Sequence, residues 1–239
     1  MQTRSKYIKQ LEELTSSVQR LADKAAADVR AAGLALSGDE GAAEGILQGA
    51  KAERRLRAAI EGGCLDTMLM QQPLVGDDLR LVSGAFRIVS DLTHVGEMTR
   101  DVAYLSQTIP HEVTARLEGK LSAAAEQVAD MIEQAVAAFM AADAAGAEAV
   151  FAADDAVDAL YRESEGIIVE MIRSTDSDPE FLPELLMAAK YFERMGDEAE
   201  RIAGWAVFRV TGEHKVYSKD VAKGADSAVS DGASEAAGE

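Results

Sequence analysis

The chain has 239 residues, 24 Lys and Arg against 42 Asp and Glu for a formal charge of −18, and is 48% hydrophobic but only 5% aromatic. Few aromatics, four prolines and abundant Ala, Leu and Glu favour helices and argue against a sandwich or barrel. The charge repels nucleic-acid phosphates and anionic lipid, so no nucleic-acid partner is expected, and membrane association only through partners.

Cys64 is the one cysteine, which excludes an intramolecular disulfide, argues against a cysteine-based zinc site and suits a reducing cytosol. The opening MQTRSKYIKQ has no apolar core of a secretory signal, and no run approaches the ~18 apolar residues of a membrane span.

In chain order, Ile8, Leu11, Leu14, Val18, Leu21 and Ala25 recur every three or four residues, so Ser5–Leu36 reads as a long amphipathic helix. Gly38-Asp39 is a stop and a new start. A second helix runs from about Glu40 to Met70, weakened by Gly62-Gly63. Pro73 with Asp77-Asp78 suits a helix start, and the third helix runs to about Thr108, where Ile109-Pro110 ends it. Glu112–Met140 reads as a fourth helix and Glu148–Ile172 as a fifth. The stretch 174–179 is a turn, and a sixth helix starts near Pro183 and stops before Gly212. In residues 218–239 Ala, Ser and Gly supply 13 of 22 positions, so that tail is expected to be disordered.

Two sets of three long helices suggest an internal duplication. Placing Gly96 over Gly196, an offset of 100 residues, sets Leu92 on Phe192, Val95 on Met195, Glu97 on Asp197, Val102 on Ile202 and Ala103 on Ala203. The expected architecture is all-α, two tandem three-helix bundles over 1–109 and 110–213, followed by an acidic tail over 214–239.

Glu193 and Asp197 stand one helical turn apart, as do Asp154 and Asp158, with Asp155 beside them. On neighbouring antiparallel helices these acids make a cluster that a hard or borderline cation would neutralise. A solvated acidic face, or ion pairs of Glu193 and Asp197 with Arg194 and Arg201, is the plainer reading. Gly96 and Gly196 each cost about 1 kcal/mol inside a helix, which points to a close approach by another helix or a bound group. Asp91-x-x-His94 has the spacing of half a di-iron element, with no second copy. No phosphate-loop, dinucleotide, nucleophile-elbow or HExxH motif is present, which disfavours an enzyme.

The segment YFERMGDEAERIAGWAVFRVTGE, Tyr191–Glu213, resembles the second-repeat signature of the PhoU family, which serves bacterial phosphate-specific transport. QQPLVGDDLR, Gln71–Arg80, is similar to that family's entry to the third helix, and DDAVD, Asp154–Asp158, to its acidic motif on the fifth. The resemblance spans about Ser5–Glu213. It implies a non-enzymatic cytoplasmic adaptor that negatively regulates phosphate-starvation signalling. Its partners would be the ATPase subunit of a phosphate ABC transporter and a sensor histidine kinase. It also implies a metal ion, iron or zinc, held here by Asp154, Asp155, Asp158, Glu193 and Asp197. A homodimer is expected on symmetry grounds. In the first repeat Thr93 and Glu97 stand at the family's acidic positions, and counting back from Gln71 brings Ala50 and Arg54 to the others, so that metal site reads as lost. Glu53, Asp91, Glu97 and Asp101 leave a rearranged site open. The competing readings are a metal-storage or di-metal helical bundle and a metal-free docking scaffold.

Overall fold

The computed structural model describes residues 2–70, 74, 76–174 and 179–215, with side chains from Ser5 onward; the tail over 218–239 lies outside these residues. Helices α1 (Gln2–Leu36), α2 (Glu40–Met70) and α3 (Asp77–Ser106) form the first repeat. A short α4 (His111–Thr114) leads into α5 (Lys120–Ala141), α6 (Ala144–Arg173) and α7 (Leu182–Thr211), the second repeat. The described residues contain no strand.

The expected fourth helix is divided. Glu118 and Gly119 take left-handed backbone conformations, φ 52° and 79°, which stop the run of i to i−4 hydrogen bonds before α5 begins. Two breakers of the last helix act as read, while Pro73 and most of the turn expected over 174–179 lie outside the described residues. Pro183 lies in the first turn of α7, and Gly212 closes that helix at φ 86°. Asp143 caps α6, its carboxylate accepting from the Ala145 N–H at 3.0 Å.

The heptad-like apolar positions decide the packing. Val18, Leu21, Ala22 and Val29 of α1 are buried, as are Val82, Ile88, Leu92 and Val95 of α3. Helices α1, α3, α7 and α5 pack in a square, each against the next. Helix α2 lies along α1 and α3, and α6 lies along α5 and α7. The two outer helices therefore cover opposite sides of a central four-helix layer.

Small residues set the approach between repeats. A Cβ on Gly33 would stand 2.7 Å from the Ala125 Cβ, so α1 and α5 meet nearly backbone to backbone. Arg30 then spans the same seam, reaching Glu126, Asp130 and Glu133 at 3.0, 2.6 and 2.6 Å. At the other seam, Arg80 donates to the Arg209 and Val210 carbonyls at the C-terminal end of α7. Arg209 donates in turn to the Phe139 and Met140 carbonyls at the end of α5 and forks onto Asp77. Both arginines donate to carbonyls in the last turn of a helix, the end that favours positive charge.

Candidate functional site

The duplication becomes a pair of matched cradles. In the second repeat Gly196 of α7 faces Asp154 of α6, whose Oδ1 would lie 2.9 Å from a Cβ on that glycine. In the first repeat Gly96 of α3 faces Glu53 of α2, and a Cβ there would collide with Glu53 Oε1. Each glycine gives up helix propensity so that a carboxylate from the outer helix can press against its backbone. The carboxylate of the first repeat is therefore Glu53. Counting back from Gln71 brings Ala50 and Arg54 to those positions, whereas the glycine contact sets the register three residues later, at Glu53 and Arg57, and leaves Arg54 exposed.

Around Asp154, which is 1% exposed, α7 supplies Asp197 and Glu200. One carboxylate oxygen from each of the three lies within 4.8 Å of the others. Such a set of hard oxygen donors from two helices can hold a divalent or trivalent cation. Asp158 and Glu193 are half-buried on the same two helices but outside that triad. Asp158 lies 4.0 Å from Arg162, and Glu193 pairs with Lys190 at 2.6 Å. Asp155 is exposed. Glu200 is the acid that the sequence reading missed; its signal is an i,i+3 spacing from Asp197, on the face that Gly196 opens.

The first cradle is filled differently. Glu53 is 7% exposed and receives Arg100 Nη1 at 2.7 Å. Lys24 and Asp28 of α1 pair beside it at 2.6 Å. Burial pushes the Glu53 carboxyl up, against the opposing pull of Arg100 and Lys24. Glu97 and Asp101 are exposed, and Asp101 accepts a hydrogen bond from Tyr191.

A third cluster joins the repeats. Asp91 and His94 of α3 meet Glu198 of α7, with one ligand atom from each within 4.8 Å of the others. Arg201 lies 2.7 Å from Glu198 Oε2 and 3.9 Å from Asp91 Oδ1, so the protein's own guanidinium balances these acids. Arg201 is thereby committed to Glu198 and Asp91, as Lys190 is to Glu193. The Trp205 indole N–H donates to Asp91 Oδ2 at 3.1 Å. The His214 ring packs on that indole at 3.8 Å, in a space a side chain on Gly204 would fill. Burial, with Glu198 adding to it, pushes the Asp91 carboxyl up to about 6.

Cys64 is buried, its thiol pushed up to about 12 by burial and by Glu61, which does not suit a nucleophile. No helix among the described residues is long and apolar enough to cross a membrane.

Comparison with known proteins matches this geometry to a family. A family model described as the PhoU domain matches twice, over residues 11–105 and 121–206, one copy for each set of three helices. The chain belongs to the PhoU family. A phosphate-specific transport system accessory protein PhoU homolog of Clostridium acetobutylicum is 27% identical over 212 residues, 88% of this chain and 97% of that protein. The homolog of Aquifex aeolicus is 28% identical over 209 residues, covering 87% and 94%. The crystal structure of PhoU from Pseudomonas aeruginosa superposes with a TM-score of 0.74 at 22% identity, covering 87% of this chain and 99% of that one. The phosphate transport system regulatory protein PhoU from Streptococcus pneumoniae gives 0.75 at 22% identity with the same coverage. The similarity establishes the fold as that of two PhoU repeats.

Proposed function

We propose that this chain is a cytoplasmic, non-enzymatic accessory protein of a phosphate-specific transport system, which keeps phosphate-starvation signalling off when phosphate is plentiful. The observation that supports this reading is the double PhoU match laid over both repeats, in a chain whose relatives are named accessory proteins of that system. It acts by docking on the transporter's ATPase subunit and on a sensor histidine kinase. Docking shifts signalling only if the chain binds the off state more tightly than the on state. Most of its surface is acidic and suits basic partner surfaces. The outward face of α2 differs, with Lys51, Arg54 and Arg55 exposed together about three to five turns before exposed Leu65 and Leu69. That stripe suits an acidic, partly apolar partner surface. A homodimer is the symmetric form in which such an adaptor would work.

The second repeat holds a metal ion, iron or zinc, in this reading. Asp154, Asp197 and Glu200 supply the oxygen donors, Asp158 and Glu193 lie at the margin, and Asp155 is the least suited of the acids because it is exposed. The cation would neutralise buried carboxylates and tie α6 to α7. Two experiments test the proposal. Deleting the gene should leave phosphate-starvation genes active in rich phosphate; normal repression in the deletion strain would sink the adaptor role. Elemental mass spectrometry of untagged protein should find metal that the Asp154→Asn, Asp197→Asn double variant lacks. Equal metal in both would remove the site assignment.

A further inference from the structure

The matched cradles differ at the residue that faces the carboxylate. With Gly96 over Gly196, Arg100 falls on Glu200. With the carboxylates in register through their glycines, Glu53 falls on Asp154, Arg54 on Asp155 and Arg57 on Asp158. Three acids of the second repeat are thus arginines in the first. Only Arg100 of those three reaches the buried carboxylate, at 2.7 Å; Arg57 turns to Glu61 at 2.8 Å, and Arg54 is exposed. Glu53 and Asp28 are balanced by Arg100 and Lys24, two acids against two bases in one pocket on α1, α2 and α3.

We infer that the Arg100 guanidinium is a tethered counter-ion that fills, in the first repeat, the place a cation takes in the second. The inference rests on the proposed cation reading of Asp154, Asp197 and Glu200 for its comparison, and on the Glu53–Arg100 contact for its substance. A guanidinium is charged at every accessible pH and cannot dissociate from the chain, so the first cradle is balanced without any ion. The same group bars entry, because a divalent cation at Glu53 would have to stand within a few ångströms of a fixed positive charge. The first repeat is then a permanent clamp between α2 and α3, and only the second responds to metal. It follows that one substitution, Arg100→Glu, converts the first cradle to an acidic set of Asp28, Glu53 and residue 100 and opens it to hard cations.

The test uses the full chain and Mn²⁺ alone as the probe. Asp154→Asn, Asp197→Asn and Glu200→Gln together silence the second repeat. In that background Arg100→Glu should gain Mn²⁺ binding roughly tenfold or more tighter than its parent, with a thermal midpoint that rises as Mn²⁺ is added. Folded Arg100→Glu protein that binds Mn²⁺ no better than its parent overturns the inference. So does uptake by the parent that Glu53→Gln abolishes, since the native first cradle would then be open. If Arg100→Glu unfolds without metal, Mn²⁺ must restore the fold; failure to do so overturns the inference as well. In the same silenced background the paired variant Glu53→Gln, Arg100→Gln should stay folded and indifferent to Mn²⁺, and a midpoint that climbs with Mn²⁺ there would overturn the assignment to this cradle. If the unmodified chain takes no metal, the proposed second-repeat site fails, while the Arg100→Glu arm still decides this inference.

Discussion

The two repeats share a backbone plan and part company in charge. At six matched positions the second carries Asp154, Asp155, Asp158, Glu193, Asp197 and Glu200, all acidic; the first carries Glu53, Arg54, Arg57, Thr93, Glu97 and Arg100. Helix packing hardly registers the change, because most buried positions on α1, α3, α5 and α7 are apolar in both halves. A fold fixed by apolar periodicity and a few close-approach glycines leaves the polar cradle free to diverge. One half matches its buried acid with its own arginine, and the other gathers three acids in the matched place.

Breaking the self-sufficient half should show the largest effect. Arg100→Met leaves Glu53 buried without its partner, and losing one side of such a pair costs ~3–5 kcal/mol. Urea unfolding at neutral pH should report that loss. The folded-state carboxyl of Glu53 is already raised, so protonation relieves the burial, and the loss should shrink as pH falls through the carboxylate range. Adding Glu53→Gln should recover most of the stability. In chelator-treated protein, Glu200→Met at the matched position removes one acid from an acidic set and should cost less, and equal losses at the two positions would erase the distinction between the repeats.

The junction between repeats offers the next contrast. Asp91 pairs across it with Arg201, whereas the matched residues Tyr191 and Asp101 meet through a phenol and an exposed carboxylate. Only the first pairing buries an ionised acid. The Asp91 carboxyl sits at about 6, above its ordinary 3.8, so the fold binds its proton more tightly than the unfolded chain does. The ionised form therefore costs stability fully above about pH 6, less as pH falls, and nothing below the ordinary value. Asp91→Asn should stabilise the protein by ~2 kcal/mol at pH 7.5 and by almost nothing near pH 3.5. Thermal midpoints of both proteins across that range test it, and a difference that does not vary with pH would show that Asp91 keeps an ordinary affinity for its proton.

Much of this was legible in the sequence, for physical reasons. Helix periods, the stops at Gly38, Pro110 and Gly212, and the Gly96–Gly196 register are local or single-offset signals. Gly196 between Glu193 and Asp197 pointed to a close approach, and the structure supplies Asp154 as what approaches. The residues that escaped are those whose meaning depends on a partner helix. Glu53 is one acid among 42 until Gly96 is placed against it. Arg100 and Glu200 lie beyond the acidic motif, and only the third dimension aims them at α2 and α6. The break was missed because a lone Gly119 inside a helical run is tolerated and Glu118 before it gives no hint of a left-handed residue.

Each glycine can be tested against its own carboxylate. Gly196→Ala gains about 1 kcal/mol of helix propensity but sets a Cβ 2.9 Å from Asp154 Oδ1 and 3.4 Å from Val157 Cγ1. Overpacking of that kind costs ~1–3 kcal/mol, so a net loss of about 1 kcal/mol and weaker metal retention are expected. Gly96→Ala should cost less, because the longer Glu53 side chain can draw back along its own stem. Chemical unfolding of the two variants side by side would test the order, and a larger loss for Gly96→Ala would mean that Arg100 holds Glu53 too firmly to yield.

The smallest expected effect separates neighbours within one motif. Asp155 adjoins Asp154 in sequence but lies 100° round the helix, exposed where Asp154 is 1% exposed. Asp155→Ala should change stability by no more than ~0.5 kcal/mol, as surface substitutions do, and leave bound metal untouched. Asp154→Ala should remove any metal the second repeat holds and loosen α6 from α7. The counterpart of Asp155 is Arg54, on the α2 stripe that we read as a docking face, so the mirrored change Arg54→Ala should likewise spare stability and metal and weaken only binding to an acidic partner. If Asp155→Ala releases metal as readily as Asp154→Ala does, the cation sits at the rim of α6 rather than against Gly196, and the glycine cradle is a packing device in both repeats.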